Sequence, residues 1–170
     1  MFDKFGEFNS YEEINKKAEE LKKNKDITSL NILAEENGID IEEVKDYIDG
    51  YSEDLTNVIM AAVGKLNVEC QTYKIDQVLK DWVEELKAEC IDSVDLAKSV
   101  RTKGKGLDEF IALLADKGFE KKTTVHKEIV KKCKGEIKKI VGAHEFYIGI
   151  PDKATRRELM YQYYLGKKVE

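Results

Sequence analysis

Between Ile75 and Ile91 apolar side chains return at every third or fourth position: Ile75, Val78, Leu79, Trp82, Val83, Leu86, Cys90 and Ile91. An unbroken stripe at the helical period commits this stretch to an amphipathic helix, with Trp82 and Cys90 read as packing residues. The rest of the chain permits more of the same. Its 170 residues contain a single proline, Pro151, and proline inside a helix costs about 3 kcal/mol.

Start and stop signals divide the N-terminal part into further helices. Ser10, with Glu13 three positions on, forms a capping box for a helix whose inner face is Tyr11, Ile14, Ala18 and Leu21. Ile27 to Asn37 predicts a second helix stopped by Gly38. Asp40 caps a third, with Ile41, Val44, Tyr47 and Ile48 inward and Gly50 as its end. The aromatic opening, Met1 to Phe8, is expected to dock on the core. Leu55 to Leu66 is the most apolar segment, and its Gly64 suits close helix packing.

Beyond the Ile75–Ile91 stripe, Asp92 or Ser93 caps a helix reaching Arg101. Thr102 to Gly106 is a basic, glycine-containing loop without the spacing of a P-loop; it is read as a connector or hinge. Leu107 to Lys117 predicts a helix stopped by Gly118. Thr124 is expected to cap a helix from Val125 to Cys133, with Val125, Ile129 and Val130 inward. Ala143 to Ile150 alternates as a strand would, and a final helix carries Ala154, Leu159, Met160, Tyr163, Tyr164 and Leu165 up to Gly166. These signals predict an all-α fold, a compact multi-helix domain of about seven to nine helices with one short extended segment near residues 143–150.

Charge is unevenly distributed. Residues 1–100 carry −12 and residues 101–170 carry +7, leaving the chain at −5. This suggests an acidic helical part, 1–102, and a basic helical part, 103–170, packed as one or two subdomains. Such a split points either to charged partners or to two halves that attract each other. Two surfaces concentrate it. The Ala34, Gly38 and Val44 spacing is that of a helix-turn-helix, whose second helix ordinarily enters the DNA major groove. Here that helix bears Asp40, Glu42, Glu43, Asp46 and Asp49 against Lys45, a face that phosphates repel and that suits a basic protein surface instead. The basic counterpart comprises Lys131, Lys132, Lys134, Lys138 and Lys139 beside Lys127, with Lys153, Arg156 and Arg157 on the outer face of the last helix. It is a candidate nucleic-acid surface, or simply a solvated one.

Catalytic and cofactor signatures are missing. Cys70, Cys90 and Cys133 are too few and too widely spaced for a disulfide framework or a CxxC metal site, and read as reduced thiols. His126 and His144 lack paired-ligand spacing. Cys133 stands seven positions from His126, roughly 10 Å along one helix and too far for a nucleophile–base pair. No metal, cofactor or enzymatic activity is expected. With no apolar run long enough to span a bilayer and no basic-then-apolar leader, neither membrane insertion nor secretion is expected.

Several short words together resemble a family from the mobile elements of gut Firmicutes: the Met1–Phe8 opening, the turn from Glu36 to Asp40, Asp81-Trp82, Lys103-Gly104-Lys105, Gly149-Ile150-Pro151 and Tyr163-Tyr164-Leu165-Gly166. Among such proteins are anti-CRISPR inhibitors of type II-A Cas9, to which this chain is similar in size and style. The resemblance implies a non-enzymatic protein of the bacterial cytoplasm that binds Cas9, or another nucleic-acid-handling protein, stoichiometrically. The alternative is an accessory or regulatory protein of a mobile element that binds DNA or RNA through its basic C-terminal part. The resemblance carries no contact residues with it.

Overall fold

A computed structural model of the chain describes residues 1–141 and 144–166. Among these residues the order is α1 (Tyr11–Lys23), α2 (Ile27–Glu36), α3 (Ile41–Asp49), α4 (Val58–Thr72), α5 (Gln77–Asp92), α6 (Val94–Arg101), α7 (Leu107–Glu120), β1 (Thr123–Val125), α8 (Lys127–Lys132), α9 (Glu136–Val141), β2 (Phe146–Ile148) and α10 (Lys153–Leu165). The chain thus adopts the expected helical fold. Its ten described helices exceed the expected number because the lysine-rich stretch breaks into two short ones, α8 and α9. The extended segment is β2; Ala143, its expected start, lies outside the described residues.

Local chemistry sets most helix ends. Ser10 Oγ accepts from Glu13 N at 3.4 Å, while the Glu13 carboxylate accepts from Asn9 N at 2.8 Å. Asp40 caps α3 by accepting from Glu42 N at 3.0 Å, and Asn57 caps α4 by accepting from the amides of both Ile59 and Met60. Gly50 and Gly166 close α3 and α10 in the left-handed conformation, with φ of 82° and 64°. An L-residue with a side chain disfavours that conformation.

Two hydrophobic cores meet at α4. Ile14, Ala18, Leu30, Leu33, Val44 and Tyr47 of α1–α3 pack with Leu55 and with Ala61 of α4, and Phe5 and Phe8 of the docked opening segment lie against them. The next residue of α4, Ala62, belongs with Leu66 to the second core, shared with Trp82, Leu86, Cys90, Val100, Phe110, Met160 and Tyr164. Helices α7 and α10 of the basic part therefore share a core with α5 and α6 of the acidic part, so the change of charge at residue 103 does not coincide with a packing boundary. Gly64 does permit a close approach: a Cβ there would lie 2.2 Å from Asn37 O, and one on Gly38 would lie 2.3 Å from Gly64 O.

Four sequence expectations change. Helix α7 runs through Gly118 to Glu120. That glycine is a packing residue, since a Cβ on it would meet Gly149 O at 2.4 Å and Pro151 Cδ at 2.8 Å. Thr124 lies within β1 and does not cap a helix; His126 caps α8 by accepting from Glu128 N at 3.3 Å. Strand pairing with β2 wins there because Val125 opposes Phe146 in an antiparallel ladder. Ile129, expected inward, is exposed because α8 packs mainly on α9. Finally, Val78 and Ile91 of the α5 stripe and Ile41 of α3 are also exposed, the apolar stripes being wider than the contacts made by their neighbours.

Candidate functional site

The acidic surface is built by α3. Val44 and Tyr47 anchor the helix in the first core, which turns Asp40, Glu42, Asp46 and Asp49 to solvent and leaves Glu43 half-buried. Asp40 is partly engaged as the helix cap, and Glu42 pairs with Lys45 at 2.6 Å. The structure therefore gathers all five predicted carboxylates on one helix and its cap, of which Glu43, Asp46 and Asp49 carry neither a side-chain hydrogen bond nor an ion pair among the described residues. The close approach of Gly38 and Gly64 sets the turn before α3 directly against α4.

The basic surface is an arm. β1, α8, α9 and β2 make their main contacts with one another, and between Lys121 and Ile150 the one buried described residue is Val141. Lys131, Lys132, Lys134, Lys138 and Lys139 are all exposed along it. Lys131 pairs with Glu128 at 2.6 Å and Lys139 with Glu136 at 2.5 Å, surface contacts that contribute about 0.5 kcal/mol or less each. Among the lysines stand exposed apolar groups, including Ile129, Ile140 and Ile148, and Lys122 lies 4.5 Å from the centre of the Tyr147 ring. The ribbon register also brings His126 and His144 to one cleft of about 510 Å³, shared with Val130, Lys131 and Phe146.

The three cations of α10 behave differently from the arm. Lys153 is exposed as expected. Arg156, expected on the outer face, is turned inward. Its Nε and Nη2 donate to the two Glu85 oxygens at 2.9 and 2.6 Å, and Nη1 donates to Pro151 O. Hydrogen bonding to Arg156 holds the Glu85 carboxyl below its ordinary range. Arg157 pairs with Glu89 at 3.0 Å. Arg156 ties α10 to α5, because bidentate pairing at a half-buried seam gains more than exposure does, whereas Arg157 is exposed as expected and its pair lies at the surface.

A polar cluster with no counterpart among the sequence expectations lies beneath the opening segment. Lys65 of α4, 1% exposed, donates to Thr102 O at 3.1 Å and Lys105 O at 3.0 Å and pairs with Glu7 Oε1 at 2.8 Å. Glu69, one turn on, is 3.8 Å from Lys65 Nζ and accepts from Leu107 N at 3.2 Å, capping α7 where Gly106 has no side chain to do so. Burial pushes the Glu69 carboxyl up to about 7, outweighing the pull of Lys65. Arg101, also 1% exposed, donates from Nη2 to Asn37 Oδ1 at 2.9 Å, and Asn37 Nδ2 donates to Leu33 O at 2.8 Å. The Arg101 Nε and Nη1 have no partner among the described residues. One signal could have found the cluster: Lys65 and Glu69, four apart, interrupt the most apolar helix of the chain.

Burial disfavours the thiolate at two of the three cysteines. Cys90 is buried, and desolvation pushes it up to about 12; Cys70 is also raised by burial. Among the described residues no three His, Cys, Asp or Glu side chains gather as a metal site, and no helix is long and apolar enough to cross a membrane. No protein-family model matches the chain, no curated protein is similar to it, and no solved structure matches it.

Proposed function

We propose that this chain is a non-enzymatic binding protein of the bacterial cytoplasm that inhibits a Cas9-type effector by stoichiometric association, the activity its resemblance implies. One observation supports the reading above the others: α3 presents a row of carboxylates to solvent. From Asp40 to Asp49 the row extends about 14 Å along the helix. Cas9-type enzymes hold nucleic acid in positively charged channels, and a fixed acidic helix competes for such ground. Charge complementarity of this kind speeds encounter and makes it sensitive to salt.

The test is Cas9 cleavage of a target plasmid with the wild-type chain and with a Glu42→Lys, Glu43→Lys, Asp46→Lys variant. Inhibition by the wild type and its loss in the folded variant is the expected result. Undiminished inhibition by the variant would remove α3 from the contact, and full cleavage with the wild type would retire Cas9 as the partner.

A second reading is favoured by the arm. Lysines interleaved with exposed apolar and aromatic groups on a projecting ribbon suit direct contact with DNA or RNA, whose phosphates release counterions to Lys and Arg. Gel shift of bare duplex and single strand, repeated over a range of salt, tests it. A steep salt dependence is expected, and no shift at low salt would sink it. The two surfaces are separate, so one chain can use α3 on an effector and the arm on its nucleic acid.

A further inference from the structure

The loop from Thr102 to Gly106 has a task that neither surface above uses. Gly104, in the left-handed conformation at φ 77°, directs its N–H to Glu7 Oε2 at 3.3 Å, while Glu7 Oε1 takes Lys65 Nζ at 2.8 Å. Both oxygens of that carboxylate are engaged. Arg101 nevertheless keeps two guanidinium nitrogens without a partner, in a setting with no access to water. Leaving buried donors unfilled is costly, and a guanidinium prefers a two-pronged oxyanion.

The charges are similarly unbalanced. Lys65 and Arg101 are both buried, and the second carboxylate beside them, Glu69, is held toward its neutral form by burial. The opening segment that carries Glu7 also covers Arg101, whose guanidinium carbon lies 6.0 Å from the centre of the Phe2 ring. A phosphoryl group brings three terminal oxygens and a charge of about −1.5 to −2. It has one acceptor more than a carboxylate and the larger negative charge, which suits a setting with two buried cations.

Residues 1–9, which carry Glu7, lie on the helical body without regular structure of their own. They are held by Glu36, which accepts from Lys4 N at 2.5 Å and Phe5 N at 3.1 Å, by Lys4 Nζ on Ser29 Oγ at 2.7 Å, and by Phe5 and Phe8 against the first core. Phe2 sits at φ 52°, a left-handed conformation that costs a residue with a side chain about 1 kcal/mol or more, a cost set against the contact of its ring with Arg101. The Glu7 side chain remains 20% exposed at the edge of the cluster.

We propose that Lys65, the Gly104 amide and Arg101 form a cradle for a phosphoryl oxyanion, and that Glu7 occupies it as an internal stand-in carried on the opening segment. Binding exchanges Glu7 for the phosphoryl group and releases residues 1–9 from the body. The proposal is independent of α3 and of the arm.

The test follows the Gly104 amide resonance by NMR while inorganic phosphate is added at constant ionic strength, to the wild type and to Glu7→Gln, which removes the charge but keeps an oxygen to accept from Lys65; urea unfolding checks that the variant is folded. The variant is expected to saturate at a phosphate concentration at least about tenfold lower than the wild type, the factor for removing one charge-assisted competitor. A parallel titration uses a short single-stranded oligonucleotide. Saturation by inorganic phosphate identifies a free phosphate compound as the ligand class, and saturation by the oligonucleotide alone identifies a nucleic-acid backbone. Equal, non-saturating responses of both proteins to both probes would overturn the proposal.

Discussion

The helical body and the lysine arm spend the same residue types in opposite ways. In the body Lys65 and Arg101 are sealed from water and tied to backbone carbonyls, Asn37 and Glu7, so their charges fix how α2, α4, α6 and the opening segment meet. In the arm Lys131 and Lys139 pair, among the described residues, with the glutamate three positions before them, and their neighbours Ile129 and Ile140 face solvent. A buried charge stripped of its partner is left uncompensated, whereas an exposed one returns to water at little cost. Position within the packing, rather than residue type, separates a charge that holds the fold from one free to meet a partner.

The contrast between body and arm can be attacked from both sides. Lys65→Met should destabilise the protein by about 3–5 kcal/mol in urea unfolding, since it leaves Glu7 and Glu69 without their cation. Lys131→Met in the arm should change stability by no more than about 0.5 kcal/mol. Comparable losses at the two sites would break the distinction.

Glycines probe it without charge. Gly64→Ala forces a Cβ to within 2.2 Å of Asn37 O, and should cost about 1–3 kcal/mol as overpacking. Gly135→Ala, with no atom within 4 Å of the added Cβ, should be neutral or stabilise by up to about 1 kcal/mol. The same unfolding curves read both.

Acidity gives a smaller effect with a definite sign. The Glu69 carboxyl titrates near 7 when folded against 4.5 as its ordinary value. Below about pH 4.5 both states hold the proton and the group is neutral in both. As pH rises toward 7 the unfolded chain releases its proton first, so this group's contribution to stability falls and then levels above 7. Stability measured from pH 5 to 8 should therefore decline less in Glu69→Gln than in the wild type; parallel profiles would show that Glu69 ionises normally. The smallest expected effect on stability comes from Lys138→Glu with Lys139→Glu, within about 0.5 kcal/mol. If the arm binds nucleic acid, every lysine–phosphate pairing that this double substitution abolishes should lower the salt slope of binding by about 1.

Much of the body was legible because its signals are local. Ser10 with Glu13, Asp40 and Gly50 set helix ends through atoms a few residues apart, and apolar spacing located Ile14, Val44, Trp82 and Leu86 in the core. The acidic face of α3 followed from the same periodicity once Val44 and Tyr47 were turned inward. Gly64 announced a close contact, though not with what.

The remainder depended on long-range neighbours. Thr124 read as a cap until Tyr147 paired opposite it; Gly118 read as a stop until the backbone of Gly149 packed on it. Arg156 read as an outward cation until Glu85, 71 positions earlier, came within 2.9 Å. The sequence by itself determined a helical protein, most of its helix ends and its separation into acidic and basic faces, since these arise from spacing along the chain. Tertiary structure alone decided that Lys65, Glu69 and Arg101 are buried together under Glu7, because the free energy of a charge depends on the groups folding brings around it, and those lie up to 97 positions apart in the chain.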